Sequence, residues 1–157
     1  LEKFLLAVLE AEEALNTVGE ALALRGEEEG GFTTVDLLQI DLFNGKSAVY
    51  KLGAAPTYLR RGGGVERLSG ESLPAGVNAG AAGPDHFDLS LEAGDCVVLV
   101  SDGVTTGKED RWLRKLLGEF DGVSPQALAA RILQGSDLRD RSGDDRTVIV
   151  IKLDVRS

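Results

Sequence analysis

Apolar residues of the first segment recur at helical spacing: Leu1, Leu5, Val8, Ala11, Leu15, Val18 and Leu22 fall on one face of a helix over residues 1–24. The pattern allows one helix, or two with a break near Glu10–Glu13. Gly26-Glu27-Glu28-Glu29-Gly30-Gly31 then predicts an exposed loop carrying solvated charge. From there the period shortens to that of strands. Residues 33–43 and 46–52 flank Asn44-Gly45, a strong hairpin signal, and residues 57–61 and 65–68 flank Gly62-Gly63-Gly64. Residues 69–83 are rich in glycine, alanine and serine and predict a loop. Phe87, Leu89 and Leu91 alternate with His86, Asp88 and Ser90, and Gly94-Asp95 turns into the apolar strand 96–100.

Two helices follow. Over 110–120, Leu113, Leu116, Leu117 and Phe120 share a face. Ser124 predicts an N-cap with Pro125 as the first helical residue, and Gly135 a helix end. A last strand covers 147–153. Successive hairpins, with helices at one end and between the late strands, predict an α+β fold with a largely antiparallel sheet. A doubly wound parallel sheet fits this order badly. With 157 residues, no repeat and no linker, one domain is expected.

Composition narrows the function classes. Seventeen basic residues against 26 acidic ones give a net charge of −9. That field disfavours nucleic acid and anionic membrane surfaces, and also anionic substrates unless bound cations invert the local charge. The single cysteine, Cys96, lies in an apolar strand and predicts a buried thiol. No apolar run approaches the ~20 residues of a membrane span, and a cytoplasmic location is expected. Leu1 stands in mid-pattern with no capping residue before it, so the chain reads as part of something longer.

Several motifs fail on inspection. Gly45-Lys46-Ser47 ends like a phosphate-binding loop, but Ile40 occupies the place of its first glycine. Gly62-Gly63-Gly64 joins two strands and opens no helix, so it is a turn and not a dinucleotide fingerprint. Ser101 follows a strand as a hydrolase nucleophile does, yet Leu99 stands where that elbow needs glycine. The one histidine, His86, lies on the polar side of its strand. The haloacid-dehalogenase pattern would put its nucleophilic aspartate at Val100, where no aspartyl-phosphate can form.

Two acidic turns remain. Ser101-Asp102-Gly103 ends one buried strand, and Gly143-Asp144-Asp145-Arg146-Thr147 leads into the last. Strand ends can aim such carboxylates at a shared point, and carboxylates so held bind hard divalent cations.

In this order and with these flanks, the turns resemble those of the metal-dependent type 2C protein phosphatases, in particular their bacterial SpoIIE-like branch. Phe32-Thr33-Thr34-Val35-Asp36-Leu37, Leu52-Gly53-Ala54-Ala55-Pro56, Leu73-Pro74-Ala75-Gly76 and Leu91-Glu92-Ala93-Gly94-Asp95 follow the family's succession. Gly143-Asp144-Asp145-Arg146-Thr147-Val148 is similar to its Asp-Asp-Met-Thr-Val, with Arg146 at the usual methionine. The resemblance covers nearly the whole chain. It implies an antiparallel β-sandwich flanked by helices, with a binuclear Mn2+ or Mg2+ centre. Asp102 and Asp144 would be metal ligands and Asp145, often asparagine in relatives, an outer ligand. Gly103 would allow a sharp turn beside the ion. The implied activity is hydrolysis of phosphoserine or phosphothreonine by metal-activated water. The implied partner is a phosphorylated regulatory protein of the anti-sigma-factor-antagonist type.

The family's first strands, with an Asp-Gly motif whose aspartate bridges both metals, have no counterpart here. Glu10, Glu12, Glu13 and Glu20 read as solvated helix charges. The 157 residues are therefore expected to form a single SpoIIE-like domain, incomplete at its N-terminus and inactive alone. The alternative is a non-catalytic binding or regulatory module on the same fold. At Arg146, the plain expectation is an exposed arginine beside a strand.

Overall fold

In the computed structural model, the described residues are 2–29, 31–77, 83–105, 109–121, 124–139 and 143–155, with the side chains of the first helix described from 10 to 24. The chain divides into two units, residues 1–54 with 70–91 and residues 55–69 with 92–157.

In the first unit, helix α1 (Glu2–Glu29) is continuous and absorbs residues 26–29 of the segment read from sequence as an acidic loop. Glutamate is a good helix former, and Gly26 costs only about 1 kcal/mol in a helix that long. Ala11 and Leu15 are buried and Leu22 packs beside them, but Val18 of the expected stripe is 44% exposed. The expectations for Leu1, Leu5 and Val8 lie outside the described side chains. Strands β1 (Val35–Ile40) and β2 (Lys46–Leu52) form the expected hairpin. Its tip is tied by Asp41 and Asn44, whose side chains accept from the Phe43 and Lys46 amides at 2.9 Å. These local bonds compete with the ladder, which is why β1 stops at Ile40 and not at residue 43.

Alternate residues of β2, Ala48, Tyr50 and Leu52, face α1 and build the core of this unit with Ala75. Across the hairpin Lys51 pairs with Asp36, with Nζ 2.8 Å from Oδ2.

The second unit comprises β3 (Thr57–Arg61), β4 (Gly64–Leu68), β6 (Cys96–Val100) and β7 (Val148–Lys152), with helices α2 (Arg111–Gly118) and α3 (Pro125–Asp137); β5 (Asp85–Ser90) pairs with β2 in the first unit. Among the described residues the sheets are β1-β2-β5 and β4-β3-β6-β7, and every strand pairing is antiparallel. The predicted α+β class with antiparallel sheets is thus the observed one. Gly62 and Gly63 turn β3 into β4 with φ of 54° and 85°, the left-handed pair that a two-residue hairpin turn needs.

Cys96, Val98 and Val100 of β6 pack with Tyr58 against Leu113, Leu117, Leu128 and Ile132 of the helices. Burial pushes the Cys96 thiol up in pKa. Ser124 caps α3 as predicted, accepting from the Ala127 amide at 3.2 Å. The helix does not end at Gly135 but runs to Asp137. Gly135 instead admits a neighbour: a Cβ there would lie 2.8 Å from Cζ3 of Trp112.

No helix among the described residues is long and apolar enough to cross a membrane.

A buried fork anchors the turn before β6. Asp95, 3% exposed, accepts from Arg61 Nε at 3.0 and 3.1 Å and from the Glu92 amide at 2.8 Å. Burial alone would raise its pKa, but the Arg61 guanidinium and that amide outweigh burial and hold it below the usual carboxylate range. A depressed carboxyl stabilises the fold above its unfolded pKa of about 3.9 and loses that contribution as pH falls through the folded value. Asp95→Asn is therefore expected to cost about 1–2 kcal/mol at neutral pH, allowing for the exposure of Arg61. Urea midpoints across the acid range should fall less steeply for the variant than for the native chain.

Candidate metal centre

Strands β6 and β7 are antiparallel neighbours, with Val100 opposite Val148. The C-terminal end of one and the N-terminal start of the other therefore meet at one end of the sheet. Asp102 stands two residues beyond β6, and Asp144 four residues before β7.

Ser101 joins the two turns. Its amide donates to the Thr147 carbonyl at 3.0 Å, its Oγ accepts from the Thr147 amide at 2.9 Å, and the same Oγ lies 3.4 Å from the Asp145 carbonyl as donor. The hydroxyl that superficially suited a nucleophile is fully occupied in holding two loops together.

Residues Asp102–Val104 form one turn of 3₁₀-helix. Asp102 Oδ1 accepts from the Gly103 amide at 3.1 Å, and Asp144 Oδ1 accepts from the Asp145 amide at 2.9 Å. Asp102, Asp144 and Asp145 are all exposed, with the backbone of Asp145 facing Gly103.

The sharp turn expected at Gly103 is present as the 3₁₀ turn, but it does not by itself explain the glycine. Its φ is not left-handed, so nothing in the backbone conformation demands glycine. Proximity demands it: a Cβ on Gly103 would overlap the Asp145 carbonyl oxygen. Glycine here lets two strand-end loops touch.

Arg146 departs from the plain expectation too. Its side chain is only 13% exposed; Nε donates to the Gly103 carbonyl at 3.0 Å and Nη1 pairs with Asp137 Oδ1 at 2.8 Å. From α3, buried Ser136 donates its Oγ toward the Gly103 and Val104 carbonyls at 3.3 and 3.2 Å. Both groups hold the turn in place. Ser136 left a signal in the sequence, because a serine continues the buried stripe Leu128, Ile132, Ser136 at four-residue spacing. Arg146 left none beyond its unusual position.

The donor set suits a hard cation in kind: exposed carboxylate oxygens at converging turns. It is short in number. Among the described residues, no three His, Cys, Asp or Glu side chains group so as to hold a metal ion. Asp102 and Asp144 fit part of a centre.

The sequence model of the Stage II sporulation protein E (SpoIIE) family matches residues 1–154. The chain belongs to the SpoIIE family. It is 30% identical over 167 aligned residues to stage II sporulation protein E of Bacillus subtilis, a match covering 98% of this chain and 19% of that protein. The chain thus spans about a fifth of that relative.

Among solved structures, it is similar to the manganese-presoaked phosphatase domain of SpoIIE, the cell-fate determinant of B. subtilis. That match has 28% identity and a TM-score of 0.70, and covers 99% of this chain and 72% of that one. The catalytic domain of the serine/threonine phosphatase PstP, in complex with two manganese ions, shares the fold at 18% identity and a TM-score of 0.72, over 93% of this chain and 71% of that one. This SpoIIE-family chain therefore has the fold of a type 2C phosphatase domain.

Proposed function

We propose that this SpoIIE-family chain serves a metal-dependent protein phosphatase that hydrolyses phosphoserine or phosphothreonine. One observation carries the reading: β6 and β7 deliver Asp102 and Asp144 to the same end of the sheet, and Ser101 and Gly103 bind their turns together. Asp102 and Asp144 would hold Mn2+ or Mg2+, with Asp145 outside them. When bound, a pair of such ions lowers the pKa of water and neutralises phosphate oxygens during in-line attack. The role of this chain's residues is to fix two carboxylates and keep their turns in contact. Both carboxylates are acceptors only, so the site draws a cation first and an anionic phosphate after it.

The partial donor set supports a further part of the reading. Residues 1–157 form one incomplete phosphatase domain, inactive alone, and the remaining ligands belong to a longer cytoplasmic protein. The substrate in this reading is a phosphorylated regulatory protein, by kinship with the SpoIIE family.

In the longer protein, Asp144→Ala is expected to lower manganese-dependent phosphate release from a phosphoserine protein by about 100-fold. Unchanged release would remove Asp144 from the site. The same short donor set also favours a second reading, a non-catalytic module. Calorimetric titration of the longer protein with manganese separates the two, since the module takes up no metal.

A further inference from the structure

A cleft of about 490 Å³ opens between α2 and the end of α3, walled by Arg111, Trp112 and Lys115 on one side and Ser136 and Arg139 on the other, with Val104 in its floor. Arg111 and Lys115 are four residues apart, so they share a helix face. Trp112 is held as a plate against α3. The Arg139 guanidinium lies over its ring, 4.8 Å from the centroid, and donates from Nη1 to the Gly135 carbonyl at 2.9 Å. On α3, the missing side chain of Gly135 makes the room for the ring.

Charge sets this cleft apart from the rest of the molecule. Among the described residues, three cations line it against one anion, Glu109, in a chain of net charge −9. Lys115 pairs, among the described residues, only with the exposed Glu119 at 3.8 Å, an ion pair of little worth in water. Arg111 makes no ion pair among the described residues. All three basic side chains are exposed to solvent, whereas Val104 and Ser136 beneath them are buried.

The cleft also abuts the turn that carries Asp102. Val104 directly follows Gly103, and Ser136 binds the carbonyls of both residues. Its floor is the far side of the turn that presents Asp102.

We propose that this cleft is a docking site for a short acidic segment of the phosphoprotein substrate. Carboxylates of the segment would pair with Arg111, Lys115 and Arg139, and an apolar or aromatic residue would lie against Trp112. This rests on the phosphatase reading and adds to it a basis for choosing among phosphoproteins. Three cations match a short run of carboxylates, while the surrounding negative field opposes a long polyanion such as nucleic acid. Guanidinium groups favour carboxylates through their paired donors, and the fixed aromatic plate supplies contact area at little entropic cost.

The test uses the 157-residue chain and its single tryptophan, which lies in the cleft. Trp112 emission is followed during titration with a synthetic Asp/Glu-rich peptide of about ten residues, without phosphate and without metal. The acidic peptide is expected to shift the emission and to bind less tightly as salt rises. The double variant Arg111→Glu, Lys115→Glu should weaken it at least about tenfold. Both residues are exposed, and a circular dichroism melt matching the native chain excludes misfolding as the cause.

An emission unmoved by the peptide, or a double variant that binds as tightly as the native chain, overturns the proposal. An equal response to inorganic phosphate also overturns it, by making the cleft a simple anion site. Because the titration contains neither phosphoester nor metal, its failure leaves the hydrolysis reading standing. Loss of hydrolysis in the longer protein likewise leaves peptide binding standing.

Discussion

Gly103→Ala is expected to destabilise the unit built on β3, β4, β6 and β7 by about 3 kcal/mol, a large effect for one methyl group. The added carbon would meet the carbonyl oxygen and carbon of Asp145 and the Cγ of Arg146. Two of those three atoms are backbone, so no rotamer change relieves the overlap. The 143–147 segment must withdraw instead, which strains the Ser101 bonds to Thr147 and Asp145. Chemical denaturation of native and variant chains measures the loss. On the proposed metal-binding reading, manganese affinity in the longer protein should fall with it, because the turns that carry Asp102 and Asp144 move apart. An alanine variant with native stability and native metal affinity would mean that the loops yield freely.

The second large effect is expected at Arg146→Met, which installs the methionine that the family resemblance leads one to expect there. Methionine fills much of the same volume but donates nothing. Gly103 would lose the Nε donor from its carbonyl, and Asp137 its partner at 2.8 Å. A hydrogen bond from a charged group contributes about 1.5–3 kcal/mol, so the expected cost is about 2 kcal/mol. Asp137→Asn should cost much less, because Asp137 is 65% exposed and its half of the ion pair is screened. Equal costs for the two variants would show that the ion pair, and not the bond to Gly103, carries the contribution. Ser136 still donates to the same carbonyl in either variant, so the turn should loosen without unfolding.

Much of this fold was legible in the sequence because its signals are local. Asn44-Gly45, Gly62-Gly63 and Ser124-Pro125 each specify a backbone geometry within a few residues, and each lies where its chemistry predicts. Strand 96–100 was recognisable from five successive apolar residues, and the structure places it inside the four-stranded sheet. Boundaries decided by packing were less legible. Gly135 reads as a helix stop but serves Trp112, and Gly26 reads as a loop but lies within α1.

The same division holds at the site. Asp102 and Asp144 were identifiable as acidic strand ends, and the antiparallel pairing of β6 with β7 brings their turns to one place. Ser101, Ser136 and Arg146 act through bonds spanning roughly 10 to 45 positions in sequence, and no local pattern announces such partners. The cleft is of the same kind, since α2 and α3 must first pack before their basic residues face one space.

Cys96 gives the molecule a built-in clock. It is the single thiol, 1% exposed, on a strand bonded on both sides by β3 and β7. A thiol reagent in solution reaches it only when that sheet opens. The rate of modification therefore reports how often this unit breathes, with no cysteine engineered in. Any occupant that fastens the ends of β6 and β7 should slow that clock.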